Sequence, residues 1–535
     1  MVQKLIYRIS NKLFPDFLEC RYYASFFKNV TTDETQGRQQ IQKSILIYSG
    51  IGSMYLTPVE ILLYHLLRAK GFQIDYYIYD ESNPANEVIT KERREELGKD
   101  FFWRKSVKRA KNILTAAKVK YSFIEKSHEV NRLLENENAD LPSILNFTYD
   151  QIHFGDIVRN TLYRYYKSTN FGTDVLERAE EFLETSLINY CQIQKLAKFK
   201  TYSYVLCSHG IYCTWAPIIE FCIRNKIKYI CYDRAKTLNH CNFNLNLPSP
   251  VWDFSSAWNR WKDRKLTTQE ELQVDQYLGQ RIFQKGDVYQ YNFSAKEIDI
   301  TSVRQRLNIP EGNKVITLFT NLIWDAANVS RDIAFTSMLE CIIQTVTYFK
   351  DRTDVTLLLR THPAEQVLGT NEGYSSLVRE KIGPLPQNVL IIDPEMKLNS
   401  FTIIELSDVG IVHTSTVGLE MAIEGKAVIL ISDTHYRNKG FTYDVSNAAA
   451  FFEVLEQLIL NGTSLKNQQE IARKYFFMMM FRYQHLMPMQ QMDQTYFPTY
   501  NFEGFEELKS TMNSLNRIVD RIADSEEWED FIFDN

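Results

Sequence analysis

Polar and charged side chains follow two apolar segments in the carboxy-terminal half of the chain. Residues 355–359 are apolar except for Thr356, as expected of a strand buried on both faces, and they lead directly into Arg360 and His362. An arginine and an imidazole at the end of such a strand could hold a diphosphate or stabilise a leaving phosphate during group transfer. The alternative is structural: a salt-bridged arginine in a loop, and a histidine that caps the turn around Pro363.

The second apolar segment, residues 409–412, leads through hydroxyl-bearing residues into the start of a helix. Ser415 or Thr416 at the N-cap would satisfy free backbone N–H groups, and Gly418 would let a ligand approach the backbone closely. Glu420 falls in the first turn of this helix, where a carboxylate could accept hydrogen bonds from two ribose hydroxyls. An ordinary capped helix is the alternative, with the helix dipole stabilising Glu420 by about 0.3–1 kcal/mol.

The alternation of apolar segments with helical stretches predicts an α/β fold with parallel sheets. One series of strands lies in the amino-terminal half, a second begins at Val315, and the polar residues 284–301 are the candidate hinge. The strands of the first series are predicted at residues 45–49, 75–79, 143–147, 204–207 and 228–232. Those of the second series begin at Val315, Val355, Val389, Val409 and Val428. The pattern therefore predicts two doubly wound halves.

Four short motifs follow one another in an informative order. Arg-x-His-Pro-x-Glu begins at Arg360, Thr-Ser-Thr-x-Gly-x-Glu at Thr414, Gly-Lys-x-Val at Gly425, and Tyr-x-x-x-Gly-x-Thr-x-Asp at Tyr436. This order resembles bacterial surface-polysaccharide glycosyltransferases with the GT-B fold, in particular the capsule polysaccharide biosynthesis proteins, which include the capsular Kdo transferases. The resemblance implies two doubly wound Rossmann-like domains facing a cleft, with helical extensions at both ends.

The resemblance and the strand pattern together predict the domain boundaries. A helical N-terminal extension is expected over residues 1–40, and a Rossmann-like acceptor domain over residues 41–290. A Rossmann-like nucleotide-sugar donor domain is expected over residues 300–465, followed by helices over residues 466–535 that pack back on the first domain. Within that last stretch, the aromatic and methionine-rich residues 475–481 are expected to pack into the core.

Two further segments extend the resemblance towards the amino terminus. Asn321 and Asp325 follow the strand that begins at Val315, where capsular Kdo transferases have Gln-x-x-x-Asp, so that Asn321 replaces the glutamine. The segment Ser-His-Gly-Ile-Tyr around His209 is similar to the His-Gly-x-Tyr segment of the same proteins. His209 is the expected general base for the acceptor hydroxyl, and Asp325 is the competing base or, in a retaining reaction, the nucleophile. A histidine hydrogen-bonded within its loop is the structural alternative.

The loop Gly50-Ile-Gly52 follows the first predicted strand and precedes a helix. A strand–Gly-x-Gly–helix order is typical of dinucleotide sites, but the third glycine of that fingerprint would fall on Tyr55. A nicotinamide or flavin enzyme is therefore the less favoured alternative. The resemblance instead implies that Gly50 and Gly52, together with Asn321 and Tyr436, border the acceptor cleft.

Composition narrows the classes of partner. A net charge of −5 argues against a nucleic-acid-binding protein, and the eight cysteines, none in a Cys-x-x-Cys pair, fit reduced core thiols. No Asp-x-Asp is present to position a divalent cation, so neither a metal nor another cofactor is expected beside the nucleotide-sugar co-substrate. No apolar run approaches the ~18–20 residues that span a bilayer, and no signal-peptide core is apparent, which predicts a cytoplasmic protein.

A dense set of basic residues bears on a further partner. Residues 91–120 include Arg93, Arg94, Arg104, Lys105, Lys108, Arg109 and Lys111. A solvated helix face is the default interpretation of such a run. The alternative is contact with an anionic lipid-linked acceptor or with the inner face of the membrane, which would make the protein peripheral.

The sequence thus predicts a metal-independent glycosyltransferase of surface or capsular polysaccharide synthesis. It would move a sugar from a nucleotide-sugar donor to a glycan or lipid-linked acceptor, and the resemblance to Kdo transferases implies a CMP-linked sugar as the candidate donor. The residues expected to hold the donor are Arg360, His362, Ser415, Thr416, Gly418 and Glu420. The alternatives are a nucleotide-sugar epimerase or polyol-phosphate transferase of the same fold, and a catalytically silent GT-B-like scaffold.

Overall fold

The computed structural model describes residues 16–30, 43–50, 53, 55–80, 82–83, 85, 90–135, 140–282, 295–462, 465–490, 499–524 and 528. The chain forms two compact units. The first unit contains residues 1–166, 171–251 and 484–535, and the second contains residues 167–170 and 252–483.

The strands of the described residues are, in chain order, β1 Ser44–Gly50, β2 Gln73–Tyr79, β3 Ser122–Ile124, β4 Thr148–Tyr149, β5 Ile152–His153, β6 Tyr202–Ser208, β7 Lys228–Arg234, β8 His240–Leu245, β9 Lys314–Phe319, β10 Val355–Arg360, β11 Val389–Ile392, β12 Val409–Val412, β13 Ala427–Leu430, β14 Tyr443–Asp444, β15 His485–Leu486, β16 Met489–Gln490 and β17 Thr499–Tyr500.

The α-helices are α1 Phe17–Phe26, α2 Leu56–Ala69, α3 Lys91–Leu97, α4 Lys99–Ala116, α5 His128–Glu135, α6 Leu141–Leu145, α7 Phe154–Tyr166, α8 Val175–Phe199, α9 Ala216–Arg224, α10 Ser255–Trp261, α11 Thr268–Ile282, α12 Ile300–Arg306, α13 Met338–Phe349, α14 Ala364–Leu368, α15 Tyr374–Ile382, α16 Ser400–Leu406, α17 Val417–Ile423, α18 Ala448–Asn461, α19 Gln468–Phe477, α20 Phe505–Ser510 and α21 Ser514–Asp524. Short 3₁₀ turns lie at Ala326–Asn328 and Pro394–Met396, and a π turn at Met478–Arg482.

The first unit is built on a sheet with the strand order β15-β8-β7-β6-β1-β2-β3. The five strands from β7 to β3 are parallel, whereas β8 and β15 are antiparallel additions at one edge. All seven residues of β1 are buried because helices cover both faces of the sheet. Ile45 and Ile47 pack in one core with α2, and Leu46 and Tyr48 in another with α8.

The second unit has a parallel sheet with the strand order β11-β10-β9-β12-β13-β14. Counted along the chain, this is the order 3-2-1-4-5-6 of the doubly wound nucleotide-binding fold. The order reverses between β9 and β12. In the first unit the corresponding reversal lies between β1 and β6. The prediction of two doubly wound α/β halves is therefore confirmed, and each half has one such topological switch point.

The strand predictions hold with one exception. Residues 143–147 were expected to form a strand, but residues Leu141–Leu145 form the short helix α6. The Asp140 side chain accepts a hydrogen bond from the backbone N–H of Ser143 at 2.8 Å, and Pro142 lies in the first turn. Both features start a helix, and the prediction was wrong because this capping signal outweighs a short apolar run.

The predicted boundary between the halves shifts towards the amino terminus. The second unit begins at Trp252 rather than near residue 300. The reason is that aromatic side chains in α10 and just before it pack against α19 and the residues that follow α19. The ring centroids of Trp258 and Tyr475 are 5.2 Å apart, and those of Phe254 and Tyr483 are 4.4 Å apart. Residues 466–483 thus belong to the second unit, and the segment 475–481 packs in a core as predicted.

The last part of the chain returns to the first unit, as the sequence predicted for the carboxy-terminal helices. Leu515, Ile518, Val519 and Ile522 of α21 are buried in the same core as α2. Of the expected amino-terminal extension, α1 is described and packs in this core, whereas residues 1–15 and 31–40 lie outside the described residues. All eight cysteines are free thiols. In the described part of the chain, no helix is long and apolar enough to cross a membrane.

A buried carboxyl ties α2 to three strands of the first sheet. Glu60 accepts hydrogen bonds from Ser49 Oγ at 2.6 Å, from the Tyr76 hydroxyl at 2.5 Å and from the Tyr232 hydroxyl at 2.7 Å. Burial raises the pKa of Glu60, while the three hydroxyl donors act in the opposite direction. This network fixes α2 against the central strands of the sheet.

We expect Glu60→Ala to lower the free energy of unfolding by about 3 kcal/mol or more, because three buried hydroxyls lose their acceptor. Tyr76→Phe removes one donor and should cost only about 1 kcal/mol. Urea unfolding followed by circular dichroism measures both, with Glu180→Ala on the exposed face of α8 as the control. An effect of Glu60→Ala no larger than that of the control would contradict the structural role of the network.

Candidate functional site

The switch point of the first unit brings together two loops that the sequence had singled out separately. Gly50 ends β1 with a φ of 70°, a left-handed conformation that glycine adopts without strain. A Cβ at Gly50 would lie 2.8 Å from the Thr214 Cγ2 in the loop that follows β6. Gly50 therefore lies at the switch point, and its lack of a side chain allows the two loops to touch. Its predicted place at the border of an acceptor cleft stays a prediction. Gly52, predicted beside it, lies outside the described residues.

Tyr55, at the position of the third glycine in a dinucleotide fingerprint, is buried at the start of α2. Its hydroxyl donates a hydrogen bond to the His240 carbonyl oxygen at 3.1 Å. A large side chain held in this way cannot provide the close helix–strand packing of a dinucleotide fold. The absence of a nicotinamide or flavin site stays a prediction.

His209 follows β6 directly and lies at the same edge of the sheet. Its backbone has a φ of 45°, and its carbonyl oxygen accepts a hydrogen bond from the Ser249 N–H at 2.8 Å. The imidazole lies 4.7 Å from the Tyr212 ring, centroid to centroid, and the buried Nδ1 atom has no partner among the described residues. Burial, together with the charge of Arg164, lowers the pKa of His209 to about 3.

The chemistry of His209 follows from this environment. The ring is neutral at physiological pH and has a nitrogen lone pair to offer. Its pKa lies well below the value near 7 that best suits proton transfer. A neutral imidazole accepts a hydrogen bond at one ring nitrogen, and the role of His209 as general base stays a prediction.

The switch point of the second unit is formed by the loops after β9 and β12. Asn321 Nδ2 donates hydrogen bonds to the Thr414 hydroxyl and, at 3.0 Å, to Asn328 Oδ1. Thr414 in turn donates to Asn328 Oδ1. The Asn321 Oδ1 atom is buried and has no partner in the described part of the chain. Asn321 thus lies at the edge where the sequence placed it, and it links two predicted motifs directly.

His362 is held beside Asn321 through its neighbour Thr320. The backbone N–H of His362 donates to Thr320 Oγ1 at 3.1 Å, and its Nδ1 accepts from the Ala364 N–H at 3.1 Å. His362 thus caps the turn around Pro363, as the alternative interpretation of the sequence predicted. Because Nδ1 is an acceptor, a neutral imidazole carries its proton on Nε2. The cap therefore makes His362 an N–H donor at Nε2, which also suits contact with a phosphate.

Arg360 does not have the role predicted for it. Its side chain is 3% exposed and donates hydrogen bonds to the carbonyl oxygens of Ile392 at 3.2 Å, Asp393 at 3.3 Å and Leu398 at 3.1 Å. Burial lowers its pKa to about 10. These bonds hold the loop after β11 against the end of β10. The guanidinium positions this edge of the sheet, and direct phosphate contact by Arg360 is not supported.

The start of α17 agrees with the expectation that Ser415 or Thr416 caps the helix. Thr416 occupies the N-cap but makes no side-chain capping bond, whereas Ser415 Oγ accepts a hydrogen bond from the Val417 N–H at 3.3 Å. The helix has only seven residues. Ser415 is thus the capping residue, and the hydroxyl of Thr416 is not used for that purpose.

Gly418 and Tyr436 form one packing unit. A Cβ at Gly418 would lie 2.7 Å from the Tyr436 hydroxyl and 2.8 Å from Val412 Cγ2. The Tyr436 hydroxyl donates to the Ser415 carbonyl oxygen at 2.6 Å, and the side chain is fully buried. The absence of a side chain at Gly418 accommodates Tyr436 rather than a ligand. Tyr436 is therefore a core residue, and the prediction that it borders a cleft was wrong.

Glu420 lies in the first turn of α17, as predicted, and is 4% exposed. Its Oε1 forms an ion pair with Nη1 of Arg281 at the end of α11. Sequence reasoning missed this partner because no local pattern links residues 139 positions apart. The ion pair fixes the orientation of the carboxylate, and its role with a ribose stays a prediction.

Asp325 lies half-buried just before the 3₁₀ turn at Ala326–Asn328. Its charge acts on Arg331, whose pKa is lowered by burial while Asp433 and Asp325 oppose the shift. No contact of Asp325 within the described residues tests its predicted role as general base or nucleophile, so that role stays a prediction.

A histidine that the sequence reasoning overlooked lies close to this loop. His413 directly follows β12, is 4% exposed, and its Nε2 lies 3.0 Å from Asp332 Oδ1. Its position at the end of a predicted strand was the signal that could have identified it. In the described residues, no group of three or more His, Cys, Asp or Glu side chains could hold a metal ion.

The basic stretch predicted as a surface is partly internal. Arg109 is buried and donates to Glu19 at 2.7 and 2.8 Å, and Arg94 pairs with Glu181 at 2.9 Å. These two arginines hold α4 and α3 to neighbouring elements of the first unit. Arg109 is thus not part of a solvated or membrane-facing surface, and Arg94 is only partly exposed.

Comparison with known proteins found matches among solved structures. No protein-family model matches the chain, and no curated protein matches it. Two beta Kdo transferases of Thermosulfurimonas dismutans, a 2,4 and a 2,7 transferase, are each 13% identical, with TM-scores of 0.35 and 0.33. The matches cover 58% and 59% of this chain and 88% of each transferase. A UDP-GlcNAc 2-epimerase of Neisseria meningitidis is 11% identical with a TM-score of 0.24, over 81% of this chain and 94% of the epimerase.

The predicted resemblance to capsular Kdo transferases is thus found again among solved structures, and the two doubly wound sheets agree with the predicted fold class. At these TM-scores the matches carry no statement about what this chain binds or catalyses. That question depends on its own residues.

We expect Gly418→Ala to lower the free energy of unfolding by about 1–3 kcal/mol, because the new methyl group overlaps the Tyr436 hydroxyl and Val412. Tyr436→Phe removes one of these overlaps. In a double-mutant cycle, Gly418→Ala should therefore cost less in the Tyr436→Phe background. Additive effects in urea unfolding would mean that the two residues do not share this space.

Glu365 belongs to the motif that contains Arg360 and His362, and it is an ionisable group in an unfavourable place. Its side chain is buried, and its Oε1 atom has no partner among the described residues. Burial, with the charges of Asp393 and Glu395, raises its pKa to about 7, against the opposing effects of the Tyr374 N–H and Arg360. The folded protein therefore favours the protonated carboxyl.

This carboxyl contributes stability that is complete below its ordinary pKa of 4.5 and is lost as the pH rises through about 7. We expect wild-type protein to lose up to about 3 kcal/mol of unfolding free energy relative to Glu365→Gln between about pH 4.5 and pH 8. Urea unfolding across this range measures the difference, with Glu380→Gln on the exposed face of α15 as the control. Parallel pH curves for wild type and Glu365→Gln would contradict the expected shift.

Proposed function

We propose that this protein is a glycosyltransferase that uses a nucleotide-sugar donor in the synthesis of a surface polysaccharide. The observation that supports it best is the hydrogen-bonded edge of the second sheet. There, Thr320 holds His362, and Asn321 holds Thr414 and Asn328. Residues from three separate motifs thus meet at a switch point, which is where open α/β sheets bind nucleotides.

The donor would be bound at this edge. His362 would donate its Nε2–H to a phosphate oxygen, and the hydroxyls of Ser415 and Thr416 would contribute weaker donors. Glu420, oriented by Arg281, would accept hydrogen bonds from the ribose hydroxyls. In this assignment Arg360 acts as a positioning residue, because its guanidinium is bonded to backbone carbonyls.

The acceptor would be bound at the switch point of the first unit, beside Gly50 and His209. There, the neutral imidazole of His209 would accept a hydrogen bond from the attacking hydroxyl. Asp325 is the alternative base. A glycan or lipid-linked sugar is the proposed acceptor, and a CMP-linked sugar is the first candidate for the donor.

The test is a thermal-shift and calorimetric panel of CMP, CDP, UDP, GDP, ADP and NAD against the purified full chain. A ligand that binds only the native state raises stability by mass action, so micromolar affinity is visible at millimolar ligand. We expect one nucleotide to bind selectively, and Glu420→Gln and His362→Asn each to weaken it about tenfold or more. Glu424→Gln, exposed at the end of the same helix, is the matched control and should bind normally.

Two results would contradict the proposal. A selective shift with NAD would point to a redox enzyme. Unchanged nucleotide affinity in folded Glu420→Gln and His362→Asn variants would mean that this edge of the second sheet does not hold the nucleotide.

A further inference from the structure

The loop that follows β9 lies across the carboxyl end of β12. Residues 320–335 form this loop, the β9 loop. Near its end, the Ala334 N–H donates a hydrogen bond to the Ile431 carbonyl oxygen at 3.0 Å. In the opposite direction, the Asp433 N–H donates to the Arg331 carbonyl oxygen at 2.8 Å. The loop is thus bonded to the residues after β13, and because β12 lies between β9 and β13 in the sheet, the loop crosses the end of β12.

His413 is the first residue after β12, so it lies next to this crossing. Its Nε2 atom lies 3.0 Å from Asp332 Oδ1. Asp332 forms a backbone β-bridge with Ser432, which places it in the part of the β9 loop that reaches β13. The imidazole is buried, whereas the Asp332 side chain is partly exposed. His413 therefore bonds the β9 loop to the end of β12 at the point of crossing.

The other end of the β9 loop is held by a tryptophan. Trp324 is buried, and its indole N–H donates to Thr370 Oγ1 at 2.9 Å in the loop after α14. Asp325 is the next residue, and Asp332 follows seven positions later. The part of the loop that contains Asp325 is thus held on both sides, by the tryptophan before it and by the bond to His413 after it.

Stability alone does not account for an imidazole at position 413. The Nδ1 atom of His413 is buried and has no partner among the described residues, and a buried polar atom without a hydrogen bond costs free energy. A leucine of similar size would fill the same place without this cost. A leucine could not bond to Asp332, so the bond to the β9 loop is what the histidine contributes.

We infer that His413, acting through Asp332, is a positioning residue of the donor site. It fixes the β9 loop over the end of β12 and thereby sets the places of Asn321 and Asp325. This inference rests on the proposed function and adds to it the residue pair that pre-organises the loop. A loop that is already fixed loses less conformational entropy when a ligand binds, so loss of the bond weakens nucleotide binding.

Substitutions at position 413 separate the bond to Asp332 from a direct contact with the ligand. His413→Gln keeps an N–H donor near the place of Nε2, His413→Asn keeps a polar atom near the place of Nδ1, and His413→Leu keeps neither. Calorimetric titration of the full chain with CMP, CDP, UDP, GDP and ADP measures the affinity. For the nucleotide that wild type binds, we expect His413→Leu and His413→Asn to weaken binding about fivefold, and His413→Gln to keep it within about twofold.

Hydrogen exchange followed by mass spectrometry measures the opening of the loop itself. In His413→Leu, peptides that contain Ala334 and Asp433 should exchange about fivefold faster, because the loop opens more readily without its bond. Asp332→Ala should give the same change, and its partly exposed side chain makes it the variant of choice if His413→Leu fails to fold. Combined with His413→Leu, it should add nothing further. Asp351→Ala removes an exposed carboxylate of the same unit and is the control.

Unchanged hydrogen exchange would overturn the inference, and so would nucleotide affinity that His413→Leu leaves intact. The latter result with lower stability in urea would assign His413 a purely structural role. Weaker binding in His413→Gln but not in His413→Asn would also overturn the inference, because Nδ1 would then contact the ligand directly. In each of these cases, nucleotide binding by wild type leaves the proposed function standing. A wild-type chain that binds no nucleotide would remove the proposed function together with the inference.

Discussion

The hydrogen bond between Asn321 and Thr414 connects the loops that leave β9 and β12. It is possible only because the strand order of the second sheet reverses between these two strands, so that their following loops diverge to opposite faces and leave a crevice. His362 is attached to the same edge through Thr320. Every residue proposed to hold the donor therefore depends on the parallel sheet being buried on both faces and on its winding reversing at this point.

The elements of both sheets could be predicted because parallel strands covered on both faces are continuous apolar runs. The strand that ends at Arg360 shows the limit of such a pattern. The position of the strand was predicted correctly, but the contacts of the arginine at its end were not. A charged residue at a strand end is equally compatible with a ligand and with backbone carbonyls, and only the position of the loop after β11 decides between them. Glu420 shows the same limit, since its partner Arg281 is 139 residues away.

Glycine and tyrosine positions were the least predictable parts of the site. A glycine in a motif next to a helix start suggests room for a ligand, yet the space at Gly418 is filled by Tyr436, a member of the next motif. The two motifs occur together because they pack together. At Gly50, the positive φ and the close approach of Thr214 explain the glycine by the local backbone at the switch point of the first sheet, and its predicted contact with an acceptor stays a prediction.

The charged side chains at the carboxyl edge of the second sheet bear on the charge of the leaving group that the donor would carry. At the carboxyl edge of the second sheet, Arg360 donates hydrogen bonds to backbone carbonyls. The charge of Arg331 lies near the carboxylates of Asp325 and Asp433. These two cations therefore do little to attract an anion. A departing phosphate there would be stabilised mainly by neutral donors, which form weaker hydrogen bonds than ionised ones. Such an environment suits a nucleoside monophosphate leaving group better than a diphosphate, because the former carries less charge. The CMP-linked sugar of the proposed function would be a donor of that kind.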